Sequence, residues 1–138
     1  MESATPPGPG GDAADLLAAA DAARTRAYCP YSGFAVGAAI RTADGTVVTG
    51  ANVENASYSL TICAERSAAA AAVAAGHTRF DVVAISVEGD SGEPCGACRQ
   101  VLAEFGTRVV LFRSAGQVVE LAMEDLLPHA FHGRSLDP

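Results

Sequence analysis

The 138-residue chain has the length of one domain, and its hydrophobic content of 49% is sufficient for a buried core. A formal net charge of −7 excludes the broad basic surface that binds nucleic acids or anionic membranes. All nine basic residues are Arg, which excludes lysine Schiff-base and P-loop chemistry. No secretory signal or membrane-spanning run is visible. These properties predict a cytoplasmic protein whose four cysteines stay reduced rather than pair in disulfides.

The N-terminal end differs in composition from the remainder of the chain. Residues 1–11 are rich in Pro, Gly and Ser and predict a disordered N-terminal arm. Residues 12–138 are then expected to form a single domain. Its first helix is predicted to be capped by Asp12 or Asp15 and to extend to about Tyr28, because Leu and Ala recur on one face at helical spacing.

The remaining elements alternate between apolar strands and helices. In chain order they are strands at 34–41 and 46–50, a helix from Ala64 to Ala75, a strand at 80–87, a helix from Cys95 to Phe105, strands at 108–113 and 117–121, and a short helix at 123–127. The last two strands must be antiparallel, because 114–116 is too short for a parallel crossover. The sequence therefore predicts an α/β fold, a three-layer α/β/α sandwich with a mixed five-stranded sheet.

The segment Ala68–Ala75 consists of Ala and Val on every side of its helix. A helix without a polar face is typical of one that is buried all round. We expect the sheet to cover one side of this helix and other subunits to cover the opposite side.

Three cysteines and one carboxylate form the chemical centre of the sequence. Cys63 and Glu65 lie in Cys63-Ala64-Glu65-Arg66, and the other two cysteines lie in Pro94-Cys95-Gly96-Ala97-Cys98. This pattern matches the zinc deaminase signature, in which the Glu is a general acid and base rather than a ligand. Three ligands leave one tetrahedral position open, as in catalytic zinc sites. The pattern predicts one Zn²⁺ held by Cys63, Cys95 and Cys98, with Glu65 as the catalytic carboxylate.

The residues beside these ligands affect the charge of the site. The predicted helix starts place all three thiolates near free N–H groups, which favour negative charge. Three thiolates on Zn²⁺ leave a net charge of about −1, which weakens the activation of water. Arg66 and Arg99 adjoin the ligands and could donate hydrogen bonds to the sulfurs. For Arg99, a surface ion pair is an equally good interpretation.

Five segments follow one another in a family-specific order. They are Tyr28-Cys29-Pro30-Tyr31-Ser32-x-Phe34-x-Val36-Gly37-Ala38-Ala39, Asn52-Val53-Glu54-Asn55-Ala56-Ser57-Tyr58, Cys63-Ala64-Glu65-Arg66, Pro94-Cys95-Gly96-Ala97-Cys98-Arg99-Gln100-Val101-Leu102 and Leu126-Leu127-Pro128-x-x-Phe131. This order resembles the small homotetrameric zinc-dependent cytidine deaminases. The match spans about Tyr28 to Phe131, and the N-terminal arm and the tail lie outside it.

The resemblance implies a reaction and a set of substrate contacts. The reaction is the hydrolytic deamination of cytidine and 2′-deoxycytidine to uridine and 2′-deoxyuridine with release of ammonia, as in pyrimidine salvage, with one Zn²⁺ per subunit. The implied roles are Phe34 on the pyrimidine ring, Asn52 and Glu54 on the ribose hydroxyls, the Ala64 N–H on the base carbonyl, Arg66 on the ligand sulfurs, and Tyr58 and Phe131 in a neighbour's site within a homotetramer.

Other interpretations remain open at this stage. A binding module with structural zinc needs a fourth ligand, for which Cys29 and three His are available. A thiol redox protein would use Cys95 and Cys98 and leave Glu65 without a role. A deaminase of a cytosine-bearing antibiotic of the blasticidin type would share the zinc core. A nucleic-acid editing deaminase is disfavoured by the acidic net charge.

Overall fold

A computed structural model describes residues 9–89 and 91–136, in which one mixed sheet lies between two layers of helices. The elements are α1 (Pro9–Arg24), β1 (Val36–Thr42), β2 (Val47–Ala51), a 3-10 turn (Tyr58–Leu60), α2 (Ala64–Ala74), β3 (Phe80–Val87), α3 (Gly96–Glu104), β4 (Val109–Ser114), β5 (Gln117–Ala122), α4 (Met123–Leu126) and a second 3-10 turn (Gly133–Leu136). Within these residues, no helix has both the length and the apolar character needed to cross a bilayer.

The sheet has the strand order β2-β1-β3-β4-β5. Only β3 and β4 are parallel, because α3 forms the crossover between them, and the other neighbours are antiparallel. The turn between β4 and β5 uses positive φ angles at Ala115 and Gly116, which suits a tight hairpin. The predicted mixed five-stranded sheet is confirmed.

Each face of the sheet packs against its own helices. On one face Leu16, Leu17 and Ala20 of α1 pack against residues of β1, β3 and β4. On the other face α2, α3 and α4 share one core with the opposite sides of the same strands, to which Ala68 and Leu102 contribute. The predicted three-layer α/β/α architecture is therefore confirmed, and α2 and α3 lie side by side on one face.

Helix α2 lies unusually close to the sheet because β2 has a glycine beneath it. A Cβ atom added at Gly50 would lie 2.4 Å from the backbone nitrogen of Ala68 in α2. The missing side chain lets the backbones of α2 and β2 approach, and this contact fixes the height of α2 above the sheet. The N-terminal end of α2 carries Cys63 and Glu65, so the same contact positions the site.

The first helix differs from its predicted bounds at both ends. It begins at Pro9, so residues 9–11 of the predicted arm are helical, while residues 1–8 lie outside the described part of the chain. It ends at Arg24 rather than near Tyr28, because Tyr28 pairs with a distant segment. The Tyr28 N–H donates to the Asn52 carbonyl at 2.9 Å and the Tyr28 carbonyl accepts from Glu54 N–H at 2.8 Å. These bonds replace the intrahelical ones that another turn of α1 would have made.

Candidate active site

Two helix starts bring three sulfurs together. Cys63 is the N-cap of α2, Cys95 is the N-cap of α3, and Cys98 lies in the first turn of α3. The three Sγ atoms all lie within 4.8 Å of one another, and those of Cys95 and Cys98 are 3.5 Å apart. Tetrahedral zinc with Zn–S bonds of about 2.3 Å would separate its sulfur ligands by roughly 3.8 Å. The spacing of the three sulfurs is close to this value.

The protonation of the sulfurs supports a cation between them. Hydrogen bonding from the Cys98 thiol and from Arg66 lowers the pKa of Cys63 to about 5. The pKa of Cys98 is raised, because its thiol donates to Cys63 and is buried. The pair thus holds one proton, with Cys63 ionised and Cys98 protonated, and a divalent cation between the sulfurs would stabilise both as thiolates. Thiolate sulfur is a preferred zinc donor, so these residues fit a zinc ion.

Arg66 contacts the sulfur cluster, whereas the fourth cysteine, Cys29, does not belong to it. Arg66 Nη2 donates to Cys63 Sγ at 3.5 Å, which is the contact that was expected of it. Cys29 is a half-buried free thiol and is not part of the sulfur cluster. Within the described residues the group therefore has three protein ligands, which is the number found in catalytic rather than structural zinc sites.

Glu65 lies in the first turn of α2, two residues after Cys63, and it is only 5% exposed. Burial raises the pKa of its carboxyl group to about 6. A carboxyl group with a pKa near neutrality can both accept and release a proton. The residue borders the same cavity as two of the sulfurs, those of Cys63 and Cys95.

The cavity beside the sulfurs has a volume of about 260 Å³. Apart from Glu65, Cys63 and Cys95, its lining residues are Ser32, Phe34, Val36, Asn52, Glu54, Tyr58, Thr61, Ala64, Ile85, Val87, Ser91, Gly92 and Glu93. Phe34 is 50% exposed here, so its ring is available to cover a planar ligand. Ala64 is the first residue of α2, and N–H groups of the first helical turn have no intrahelical acceptor.

Most of the residues predicted to contact substrate therefore meet in one cavity. Tyr58 lines the cavity of its own chain, whereas it was expected to reach a neighbour's site. Phe131 is 57% exposed and is not among the residues that line this cavity. Sequence reasoning assigned no role to Ser32, Ser91 and Glu93; Ser32 comes to the cavity on the loop before β1, and the other two come on the loop that leads to Cys95.

Asn52 and Glu54 are buried and hold the loop that leads into β1. Asn52 Nδ2 donates to the Phe34 carbonyl at 2.8 Å, and Asn52 Oδ1 accepts from Val36 N–H at 2.9 Å. Glu54 Oε1 accepts from the N–H groups of Tyr31 and Ser32, and its Oε2 accepts from the Ser32 hydroxyl. These bonds lower the pKa of Glu54, so its carboxylate is ionised. Both side chains also have bonding capacity left for a ligand.

Glu65 is buried beside the cysteine cluster but is not one of its ligands. Hydrolytic zinc sites have such a carboxylate, and closed structural zinc sites do not. The cavity is lined by apolar and aromatic side chains such as Phe34, Val36 and Ile85 together with the polar Asn52 and Glu54, a mixture that suits a planar heterocycle carrying polar groups. Together with the β3-α3-β4 unit, which carries Cys95 and Cys98, these features define a zinc-dependent base deaminase.

Comparisons with known proteins lead to the same class. The family model of the cytidine and deoxycytidylate deaminase zinc-binding region matches residues 12–114. A cytidine deaminase of Halalkalibacterium halodurans is 48% identical over 128 residues, which cover 88% of this chain and 96% of that protein. The crystal structure of cytidine deaminase from Burkholderia pseudomallei matches with a TM-score of 0.80 and 49% identity, covering 86% of this chain and 98% of that one.

A blasticidin-S deaminase of Bacillus cereus is more distant, at 32% identity over 103 residues, 67% of this chain and 74% of that protein. The matches to the two cytidine deaminases extend over most of both chains at nearly half identity, which shows common descent. The chain belongs to the cytidine and deoxycytidylate deaminase family.

Proposed function

We propose that the protein hydrolyses cytidine and 2′-deoxycytidine to uridine and 2′-deoxyuridine, with release of ammonia, in pyrimidine salvage. The observation that carries the proposal is one cavity lined by two cysteines of the sulfur cluster, the buried Glu65 and the polar pair Asn52 and Glu54. Membership of the deaminase family supports the reaction, and the name of the 48%-identical relative supports the substrate.

Cys63, Cys95 and Cys98 would hold the zinc ion, one per subunit. When bound there, zinc supplies the Lewis acidity that lowers the pKa of a water molecule toward neutrality. Glu65 accepts the proton of this water on its carboxylate and transfers it to N3 of the pyrimidine. It then moves the second proton to the departing amino group, so one side chain serves as base and as acid. Arg66 withdraws charge from the Cys63 sulfur through its hydrogen bond.

The nucleoside is held at both of its ends. The ring of Phe34 covers the pyrimidine, and the Ala64 N–H donates to the base carbonyl. Asn52 and Glu54 receive the ribose hydroxyls with the bonding capacity that their loop contacts leave free. A nucleoside is then preferred over free cytosine, since without a sugar these buried polar groups lose partners.

A blasticidin-type antibiotic is the second candidate substrate. The 32%-identical relative supports it, because the name of that protein is blasticidin-S deaminase. The nucleoside is the better candidate, since the more similar relative is a cytidine deaminase and Asn52 and Glu54 suit ribose hydroxyls.

The active assembly is a homotetramer in this proposal, and residues 12–138 of each chain form one domain. Phe131 is exposed and lies outside the lining of its own cavity, which leaves it available to a neighbouring subunit. Tyr58 borders its own cavity at a 58%-exposed position, where it could also meet a neighbour. A cytoplasmic location agrees with the four free thiols, because zinc-binding cysteines must stay reduced.

The experiment measures ammonia release from the purified zinc-loaded protein with cytidine, 2′-deoxycytidine, cytosine, dCMP and blasticidin S. We expect turnover of the two nucleosides. Glu65→Gln should keep its zinc and its melting temperature and lose about 10⁴-fold or more in kcat, because the carboxylate acts in more than one step.

The matched control is Glu104→Gln, which changes an exposed Glu at the end of α3 and should leave the rate unchanged. A near-normal rate in Glu65→Gln with zinc bound would remove Glu65 from the mechanism. Turnover of blasticidin S without turnover of cytidine would replace the proposed substrate.

A further inference from the structure

The loop between α1 and β1 depends on one hydroxyl group. Ser32 Oγ donates to Glu54 Oε2, and the same oxygen accepts the N–H of Phe34 at 2.9 Å. The Ser32 N–H donates to Glu54 Oε1 at 3.1 Å. Ser32 therefore links the side chain of Glu54 to the backbone of Phe34 with three hydrogen bonds.

Both backbone polar groups of Phe34 are held by hydrogen bonds. The N–H is held by Ser32 at 2.9 Å, and the carbonyl is held by Asn52 Nδ2 at 2.8 Å. Phe34 itself is 50% exposed at the cavity, so few side-chain contacts restrain it. The backbone bonds therefore fix the Cα from which its ring extends.

The bonding capacity of Glu54 limits how it can bind a ligand. An ionised carboxylate offers about four acceptor positions. Two on Oε1 are taken by the N–H groups of Tyr31 and Ser32, and one on Oε2 is taken by the Ser32 hydroxyl. One position remains, and it lies on the oxygen that Ser32 holds. The direction of that oxygen thus depends on Ser32.

We propose that Ser32 is a positioning residue for nucleoside recognition, which aligns the free acceptor of Glu54 with the sugar and the ring of Phe34 with the base. The inference rests on the proposed function, because it assigns the sugar to Glu54 and the pyrimidine to Phe34. Ser32 sets the distance between the sugar contact at Glu54 and the base contact at Phe34. A ligand that has only a sugar or only a base therefore gains less affinity from Ser32.

The test compares Ser32→Ala, Ser32→Thr and the control Ser57→Ala in the zinc-loaded enzyme. Ser57 is an exposed N-cap without a side-chain cap bond. Loss of the hydroxyl should raise KM for cytidine roughly tenfold, as expected for one hydrogen bond to a charged group, with kcat changed less than about twofold. Ser32→Thr keeps a hydroxyl and should restore KM to within about threefold of the wild type. The ratio of kcat/KM for cytidine to kcat/KM for 2′,3′-dideoxycytidine should fall in Ser32→Ala but not in Ser32→Thr or Ser57→Ala.

A double-mutant cycle shows whether Ser32 acts through Glu54. Glu54→Gln keeps an oxygen for the Tyr31 and Ser32 N–H groups but replaces the charged acceptor of the Ser32 hydroxyl by a neutral amide N–H donor, which bonds Ser32 Oγ more weakly. Adding Ser32→Ala to Glu54→Gln should therefore change KM less than threefold, which is the non-additivity of a coupled pair. Fully additive effects, or kinetics of Ser32→Ala that match Ser57→Ala, would overturn the inference. Failure of the proposed function is a separate result, since the wild-type enzyme would then not turn over cytidine.

Discussion

Glu93 is a carboxylate that lines the cavity without a role in the reaction. It stands two residues before Cys95 and shares the cavity with Glu54 and Glu65. Among the described residues that border the cavity there is no basic side chain, and Glu93 has no ion pair within 9–89 and 91–136. Its charge therefore acts uncompensated on whatever enters. A phosphate group that came within about one Debye length, 8–10 Å, of this carboxylate would be repelled by it.

We predict that Glu93 contributes to the rejection of nucleotides. Glu93→Gln should raise kcat/KM for dCMP relative to 2′-deoxycytidine roughly three- to tenfold, because one repulsive charge is removed. Glu93→Arg should raise the ratio further. Both effects should shrink at high salt. Glu88→Gln is the control, since Glu88 is exposed on the same loop but does not line the cavity. An unchanged ratio in both Glu93 variants would contradict the prediction.

The sequence predicted the cysteine cluster and the contact of Arg66 with Cys63, but not the contacts of Arg99. Cys63, Cys95 and Cys98 follow from a local spacing that metal chemistry dictates. The contacts of Arg99 required the fold, because its Nε donates to the Pro94 carbonyl at 2.8 Å and its Nη1 donates to the Leu126 carbonyl at 3.0 Å. It thus holds the start of α3 to the end of α4, a role that neither interpretation of Arg99 included.

Two helices differ from what local pattern predicted, α1 in where it ends and α2 in how much of it is buried. Helix α1 ends early because the backbone of Tyr28 bonds to that of Glu54, which is distant in the sequence. The local sequence pattern around Tyr28 does not indicate such a contact. Helix α2 is not buried all round in the single chain, since Ala70, Ala71 and Val73 on its outer face are exposed. By contrast β3 was predicted with its observed bounds, because a run of apolar β-branched residues between turns is an unambiguous strand signal.

The contact between α2 and β2 gives a prediction at the level of these elements. Gly50→Ala would place a Cβ atom 2.4 Å from the Ala68 nitrogen, so α2 must move away from the sheet. We expect a loss of about 3 kcal/mol in the free energy of unfolding, at the upper end for overpacking, because the clash is with backbone. Displacement of Cys63 should also weaken zinc binding. Urea denaturation and metal titration measure the two effects.

The control for this change is Gly133→Ala, since nothing lies within 4 Å of a Cβ atom there. It makes the same substitution without a clash and should change stability by less than about 0.5 kcal/mol. Equal stability of Gly50→Ala and Gly133→Ala would mean that α2 can shift without cost. The close approach would then not fix the position of the site.

At the scale of the whole molecule, the exposed apolar surface around α2 is typical of a surface that is covered by another protein chain. Val73 on the outer face of α2 is 40% exposed, and Val53, Leu60 and Ile62 on the preceding loop are exposed as well. The outer face of α2 carries no charged side chain from Ala68 to Ala75. A second copy of the chain suits this surface, since the proposed assembly would bring equivalent apolar faces together.

We predict that sedimentation will give an assembly of about four times the 14.0 kDa chain mass. Val73→Glu should shift it toward smaller species, because a charge would be buried between subunits without a partner. Turnover should fall together with the assembly if Phe131 completes a neighbour's site. Phe131→Ala should then lower kcat/KM while leaving the assembly mass unchanged.

Val118→Glu is the control for Val73→Glu, because it adds the same charge at a site that is 53% exposed on the opposite face of the sheet. Val118 pairs with Arg113, whose guanidinium binds Asp21 of α1, so it lies on the α1 side. It should leave both mass and turnover unchanged. Disruption by Val118→Glu but not by Val73→Glu would move the interface to the α1 face. A fully active monomer would remove the need for Phe131 in the site, since one chain would then hold every group that the reaction uses.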